Sequence, residues 1–386
     1  MKKIISMLTI SALALGSIFA DVSLEFTQKA YLYDQDGNKL RFSGYDDSKG
    51  CVKFTVKNDN AGVLLDIDPK INQGDTKSVA LDQYTGWVNF GNGAFKLQSG
   101  VWTARSVNRF NGNSGKWKGS EYEKYKYGVA NGSLAKDVNN IAAINGTSYL
   151  STAVSYNADG FYLTGLLLGL DDKKTAGYYG KHDVCSGFGA EMGLKIGEGT
   201  KLTVNLKTPA NKQIAFGAFV ENTSLKENLD FVAGWSFGND NGSGSFETAI
   251  DLRASYNLSE TVTLTTMNNL SYYGAGASRW DSSLVTPAFV NVTNGQFDLW
   301  DMLSVGVKAS DNILVMLTAE WEYTDLWHKN LTKVNQHNGT LEIIPSVKYM
   351  PTKGVDVSAG LIINTTGWSE PSSAKFAIPF LLHVAL

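Results

Sequence analysis

The residues suited to chemistry are few and scattered. Four histidines, His182, His328, His337 and His383, are the side chains whose ordinary proton affinity lies near neutrality. No serine sits in a Gly-x-Ser-x-Gly frame and no His-Glu-x-x-His pair occurs. The sequence therefore encodes neither a nucleophile elbow nor a zinc-protease helix. His328 follows Glu320, Glu322 and Asp325, a grouping that solvated loop charge explains better than acid–base catalysis. Enzyme activity is not expected. Asp34-Gln35-Asp36-Gly37-Asn38 opens like a calcium loop, but the glycine is misplaced and no distal glutamate follows, so it reads as a turn. Two cysteines, Cys51 and Cys185, cannot form a four-thiolate zinc site. No metal or cofactor is expected.

One stretch concentrates charge and aromatic rings. Arg105 and Arg109 lead into the long polar segment Asn108–Ser148. That segment carries Lys116, Lys118, Lys124, Lys126 and Lys136 against Glu121, Glu123 and Asp137, interleaved with Trp117, Tyr122, Tyr125 and Tyr127. Folded into an aqueous passage, such a segment makes a positive ring that selects anions, or a set of faces on which sugar rings stack. Folded outward, it is an exposed adhesive or surface loop.

Composition limits what can position these residues. The chain has 386 residues, 43% hydrophobic and 18% charged, with 39 Gly, 18 Phe, 17 Tyr and 9 Trp. Charge is sparse and glycine and aromatics are abundant, which excludes a disordered acidic tail and a coiled coil. The formal net charge of −3 disfavours a nucleic-acid partner. Lys2 and Lys3 precede an apolar run from Ile4 to Phe19, and Ala20 is followed by Asp21. This is the pattern of an export signal, residues 1–20, cleaved after Ala20. An uncleaved anchor is the alternative, but the run is short for a membrane crossing. Cleavage removes two lysines and takes the net charge from −3 to −5.

Beyond Ala20 the apolar residues recur with period two. Phe246, Thr248, Ile250, Leu252, Ala254, Tyr256 and Leu258 share one face, and Glu247, Asp251, Arg253 and Ser255 the other. A strand sorts these sets and a helix mixes them. The same alternation runs through 52–56, 188–196, 313–323, 355–363 and 376–386. Tight turns are expected near Asn58–Ala61, Gly91–Gly93, Asn157–Gly160, Gly197–Thr200, Ser259–Glu260, Ser310–Asn312 and Pro351–Gly354, with a somewhat longer one at Glu221–Asn228. The intervening connections are longer and polar: 34–49, 108–148, 171–184, 238–245, 274–296, 325–340 and 366–374. Many segments reach the roughly 9–11 residues that cross a bilayer as a tilted strand. A soluble sandwich also alternates, but its strands average only about 5–6 residues. The expected fold is all-β: residues 21–386 form a single transmembrane antiparallel barrel of about 16–18 strands, with short periplasmic turns and long extracellular loops. The uncertain pair of strands lies in the weak pattern between Gly62 and Phe90.

This architecture resembles the porin-type β-barrels of the bacterial outer membrane. The final strand, with Phe376, Ile378, Phe380, Leu382 and Val384 on one face, resembles the segment that the outer-membrane assembly machinery reads, although Leu386 stands where a terminal Phe is usual. The segment from Trp102 through Arg105 to Arg109, before a Tyr- and Lys-rich loop, resembles spirochaete outer-membrane barrels. The resemblance implies an outer-membrane location, contact with membrane lipid, and homo-oligomerisation. It also implies passive diffusion of small hydrophilic solutes. The alternatives are a structural or adhesive barrel with a closed lumen and a transporter of hydrophobic substrates. The last rests on Leu166 and Leu168, expected to point inward beside Tyr162.

Strand-end aromatics, among them Trp102, Tyr156, Trp235, Tyr256, Tyr272, Trp300, Trp321 and Tyr349, are expected at the two membrane interfaces. The opposite parity places Lys96, Glu191, Glu247, Asp251, Arg253, Glu320 and Glu322 on the lumen wall. Counted along all strands, eight basic wall residues face nine acidic ones, so weak ion selectivity is expected from the wall itself. Asp301 falls on the lipid side of its strand. N-terminal sequencing or intact mass of the protein from its membrane should give Asp21 as the first residue; a chain that retains Lys2 and Lys3 would refute the signal reading.

Overall fold

The computed structural model describes residues 19–34, 43–44, 49–71, 77–102, 143–144, 147–148, 150–168, 187–209, 213–226, 229–240, 245–281, 288–323, 339–366 and 375–386. Eighteen strands form the barrel. The first six are β1 (Phe19–Asp34), β2 (Lys49–Lys57), β3 (Ala61–Ile71), β4 (Lys77–Phe90), β5 (Phe95–Val101) and β6 (Leu150–Ala158). They are followed by β7 (Phe161–Leu168), β8 (Gly187–Gly197), β9 (Thr200–Pro209), β10 (Gln213–Lys226), β11 (Leu229–Asp240) and β12 (Ser245–Asn257). The last are β13 (Val262–Tyr273), β14 (Gln296–Ser310), β15 (Ile313–Tyr323), β16 (Gly339–Thr352), β17 (Val355–Gly360 and Ile362–Thr366) and β18 (Lys375–Ala385). The weak pattern before Phe90 thus yields two full strands, β3 and β4, and the count is 18 rather than 16.

Each strand pairs antiparallel with its neighbours in sequence, and β1 closes the sheet on β18. The closing register runs from Glu25 opposite Ala385 to Asp34 opposite Ala377, with a bulge between Tyr31 and Tyr33. Leu24 and Leu386 exchange both backbone hydrogen bonds, at 2.9 and 2.8 Å, so the ladder continues to the last residue. Among the described residues there is no helix. This is the all-β closed barrel that the periodicity implies.

Turn chemistry sets one end. Asn58 Oδ1 accepts the amides of Asn60 and Ala61 at 2.9 and 2.8 Å and closes the β2–β3 turn. Ser259 Oγ does the same for Thr261 and Val262 between β12 and β13. Gly354 takes φ +82°, and its carbonyl accepts the Ala385 amide at 2.6 Å, which ties the β16–β17 turn to β18. A Cβ at Gly354 would lie 2.1 Å from the Ala385 carbonyl oxygen, so no other residue fits there. At the end of β10 regular pairing stops at Asn222 opposite Phe231 and resumes only at Lys226 opposite Leu229, an irregularity within the expected longer connection. One sequence expectation shifts. The expected long connection at 238–245 shrinks to 241–244, because polar Asn239 and Asp240 still pair in the sheet.

The outer face is apolar. Val22, Leu24, Leu163, Leu167, Ile250, Leu303, Leu317 and Val347 are all exposed there. Aromatic rings gather at both ends of this face. Toward the long connections a chain of ring contacts runs Phe237–Phe246–Tyr272–Phe297, at 6.0, 5.4 and 4.6 Å. At the turn end Phe90, Phe95 and Tyr156 touch at 5.4 and 5.1 Å. Two aromatics expected in these belts are elsewhere: Trp102 and Trp300 are buried. Trp300 has the parity of Asp298 and Met302, and that parity sends it to the lumen.

Asp301 does lie on the outer face, but it is not bare. Asn268 Nδ2 donates to Oδ1 at 2.6 Å and Trp321 Nε1 to Oδ2 at 2.9 Å, from the two flanking strands. Both carboxylate oxygens are satisfied, which offsets part of the cost of charge at a lipid face. Trp321→Phe keeps the ring and removes one donor. It should cost about 1–3 kcal/mol in urea-driven unfolding from lipid vesicles; an unchanged midpoint and slope would show that lipid or water already satisfies Oδ2.

Candidate functional site: the lumen wall

The side chains opposite in parity to the apolar ones point into the barrel, and most are polar. Their burial follows from packing against one another along the inner wall. Lys96, Glu191, Glu247, Asp251, Arg253 and Glu320 all lie on this side. Glu322 lies in β15 opposite Trp300, and its side chain is outside the described residues. Arg105, Arg109, Lys116, Trp117, Lys118, Tyr122, Lys124, Tyr125, Lys126 and Tyr127 also lie outside the described residues, as does Cys185. Cys51 Sγ, as a thiol, donates to Asp66 Oδ1 at 2.8 Å.

Three groupings emerge on the wall. The first crosses the closure seam. His383 Nδ1 lies 2.7 Å from Asp356 Oδ2, and Nε2 lies 3.1 Å from Glu25 Oε1. Lys348 Nζ reaches the other Asp356 oxygen at 3.1 Å. Four strands, β16, β17, β18 and β1, are thereby linked through side chains as well as backbone. On the next strands Lys53 Nζ pairs with Asp66 Oδ2 at 3.3 Å.

The second grouping is aromatic. Tyr162 Oη donates to Glu191 Oε1 at 2.7 Å, and Lys201 Nζ lies 5.2 Å from the Tyr162 ring centre. Gly193 makes room for that ring: a Cβ there would sit 1.8 Å from the ring edge. Lys96 Nζ lies 5.3 Å from the Trp87 ring centre in the same way. Leu166 is buried on this side too, while the Leu168 side chain is outside the described residues.

The third is an acidic arc on β12–β16, in the half of the barrel toward the long connections. Asp251, Asp298, Glu320 and Glu342 are buried there, and Glu320 stands directly opposite Glu342. Trp300 Nε1 donates to Glu320 Oε1 at 2.6 Å, Asn269 Nδ2 to Asp251 Oδ1 at 2.7 Å, and Gln296 Nε2 to Asp298 Oδ1 at 2.7 Å. Buried Arg253 on β12 and Lys348 on β16 share these strands, so the four carboxylates stand among basic residues and exceed them locally. Trp300, expected at the membrane interface from its place near a strand end, lies instead on the wall, and Asn269 and Asp66 are not among the residues that the sequence singles out. Strict parity along 296–310 carries the signal for Trp300; strand register, which sequence does not show, carries it for the others.

No family model matches the sequence, and no curated protein matches it. Solved structures do. OccK3 (OpdO) of Pseudomonas aeruginosa is 10% identical with a TM-score of 0.56, over 98% of this chain and 99% of that one. A loop L8 deletion mutant of OmpT, an outer membrane protein of Vibrio cholerae, is 10% identical with a TM-score of 0.54, over 96% and 100%. An anion-selective porin from Comamonas acidovorans is 12% identical with a TM-score of 0.51, over 96% and 100%. The fold is that of the outer-membrane porin barrels. The likeness to spirochaete barrels rests on the segment from Trp102 to Arg109, of which Trp102 alone is described.

The Tyr162–Glu191 bond gives a test of the wall. Tyr162→Phe should cost about 1.5–3 kcal/mol, the usual worth of a hydrogen bond to a charged group. Gly193→Ala should cost a similar amount by displacing the same ring. The double variant should be clearly less destabilised than the sum of the two, because one interaction is lost twice. Simple additivity in vesicle-based unfolding would show that the two residues act separately.

Proposed function

We propose that this chain is an outer-membrane porin-like channel through which small hydrophilic solutes diffuse passively. The observation that carries this reading is the division of the closed 18-strand barrel into an apolar outer face and a wall of charged inner side chains. Barrels of this strand number are wide enough to hold an aqueous path. The fold shared with porins supports the reading, and so does the export-type sequence pattern of residues 1–20, read as a cleaved signal. In this reading the connection 108–148, with Arg105 and Arg109 at its base, is the constriction that sets the size limit.

A second reading, a barrel whose lumen is closed, is favoured by one observation: Phe219 and Val232, both on the inner wall, are fully buried. Single-channel recording in planar bilayers separates the two. The refolded protein spanning Asp21–Leu386 should give discrete current steps, and replacing 108–148 by a short Gly/Ser turn should enlarge them. Silence from both proteins, with strand content verified by circular dichroism, would refute the channel and leave the closed surface barrel.

A further inference from the structure

The closing seam is not uniform along its length. Toward the tight turns, β18 pairs with β1 without a break from Ala385 opposite Glu25 to Pro379 opposite Tyr31. Glu25, His383, Asp356 and Lys348 lie in this part and tie it together on the lumen side. Past Tyr31 the register shifts by one residue, and the seam continues with Tyr33 opposite Ile378 and Asp34 opposite Ala377. On its other side β1 pairs with β2 as far as Thr27 opposite Lys49, and with Ser43–Gly44 at Ala30 and Tyr31. Among the described residues, Tyr33 and Asp34 therefore pair with β18 alone.

Two prolines interrupt the neighbouring ladders at the same level. The Leu361 amide donates to the Pro345 carbonyl at 3.0 Å, so the Pro345 backbone faces β17. Pro345 has no N–H to give back. Pairing of β16 with β17 stops at Ile343 opposite Ile363 and resumes at Ser346 opposite Gly360. On β18 the Ala385 amide donates to Gly354, in the turn that opens β17. Backbone direction alternates along a strand, so Pro379, six residues earlier, also faces β17. It stands level with Gly360 and offers no donor there; pairing stops at Ala359 opposite Phe380 and resumes at Ile362 opposite Ala377. Two consecutive residues of the wall thus each lose a ladder donor to a proline, Gly360 on the β18 side and Leu361 on the β16 side. Gly360 adds the backbone freedom of a residue without Cβ.

We propose that Gly360–Leu361 is a hinge, at which the paired ends of β17 and β18 swing away from β1 while the remainder of the seam stays closed. The moving piece is held together by the pairing of Ile362–Asn364 with Lys375–Ala377. Its pairing with Thr340–Ile343 of β16 is kept and serves as the axis. Parting from β1 breaks the two residue pairs beyond the bulge, at the strand ends next to the polar connections, where water is at hand for the freed backbone groups. The wall then opens at the mouth toward the long connections. This motion is independent of whether the lumen conducts.

The test is amide hydrogen exchange, read residue by residue by NMR, on the folded protein in phospholipid nanodiscs. Ile378, Leu382 and Val384 share the parity that faces β1, and Ala377, Leu381 and His383 the parity that faces β17. Ile378 should exchange about tenfold or more faster than Leu382 and Val384, whereas Ala377 should stay as protected as Leu381. Pro379→Val returns a donor toward Gly360 and should slow Ile378 about fivefold, the worth of one hydrogen bond. Pro345→Val returns the donor toward Leu361 and should act in the same direction; it reads the same hinge if the first variant does not fold. An Ile378 amide as slow as Leu382 and Val384 would overturn the proposal. So would an Ala377 amide as fast as Ile378, which is simple fraying of the strand end, or an Ile378 rate that a folded proline variant leaves unchanged.

Discussion

The pairing of β1 with β18 is the interaction on which the remaining structure depends. In hydrocarbon no water is available for an open strand edge, and each unsatisfied backbone group costs several kcal/mol. A sheet of this size is stable in a bilayer only if its first strand finds its last. Here the ladder runs from Asp34 opposite Ala377 to Leu24 opposite the terminal Leu386. On the inner side the same seam is crossed by Glu25, His383, Asp356 and Lys348, so the closure is held twice.

Closure divides every strand into two environments separated by one residue. Trp300 and Asp301 are adjacent, yet the indole of one donates to Glu320 in the lumen and the carboxylate of the other is held by Asn268 and Trp321 on the outside. The reversal of ordinary preference, with the aromatic inside and the acid outside, is tolerated because each polar atom has a partner on the neighbouring strand. The same logic lets the wall hold buried lysines and carboxylates that a soluble core would reject.

Closure also explains why barrels from Pseudomonas, Vibrio and Comamonas share this fold at 10–12% identity. What the bilayer requires is a pattern: apolar on one parity, turns at one end, and a full set of paired strands. Many residues satisfy it, and the lumen parity is left to vary. What distinguishes one such wall from another is which side chains the register brings together, as with Asp251, Asp298, Glu320 and Glu342 or the Tyr162–Glu191 pair.

The amino-acid order alone determined the class of fold, the face on which each regular-strand residue lies, and most of the tight turns. These depend on a period of two and on local chemistry such as the Asn58 and Ser259 caps, which act within three residues. The weak alternation between Gly62 and Phe90 leaves the strand count open, because adjacent Asp66 and Ile67 pair with Gln83 and Leu81, and the extra residue Asp82 breaks the parity of β4. The partners of the wall residues were not legible. Tyr162 meets Glu191 across 29 positions, Trp300 meets Glu320 across 20, and Glu25 meets His383 across 358. Those distances are bridged by register, and register is fixed only when all the strands have paired and the barrel has closed. The tertiary structure alone decided that Asp251, Asp298, Glu320 and Glu342 would share one part of the wall and that Glu25, His383, Asp356 and Lys348 would meet at the seam.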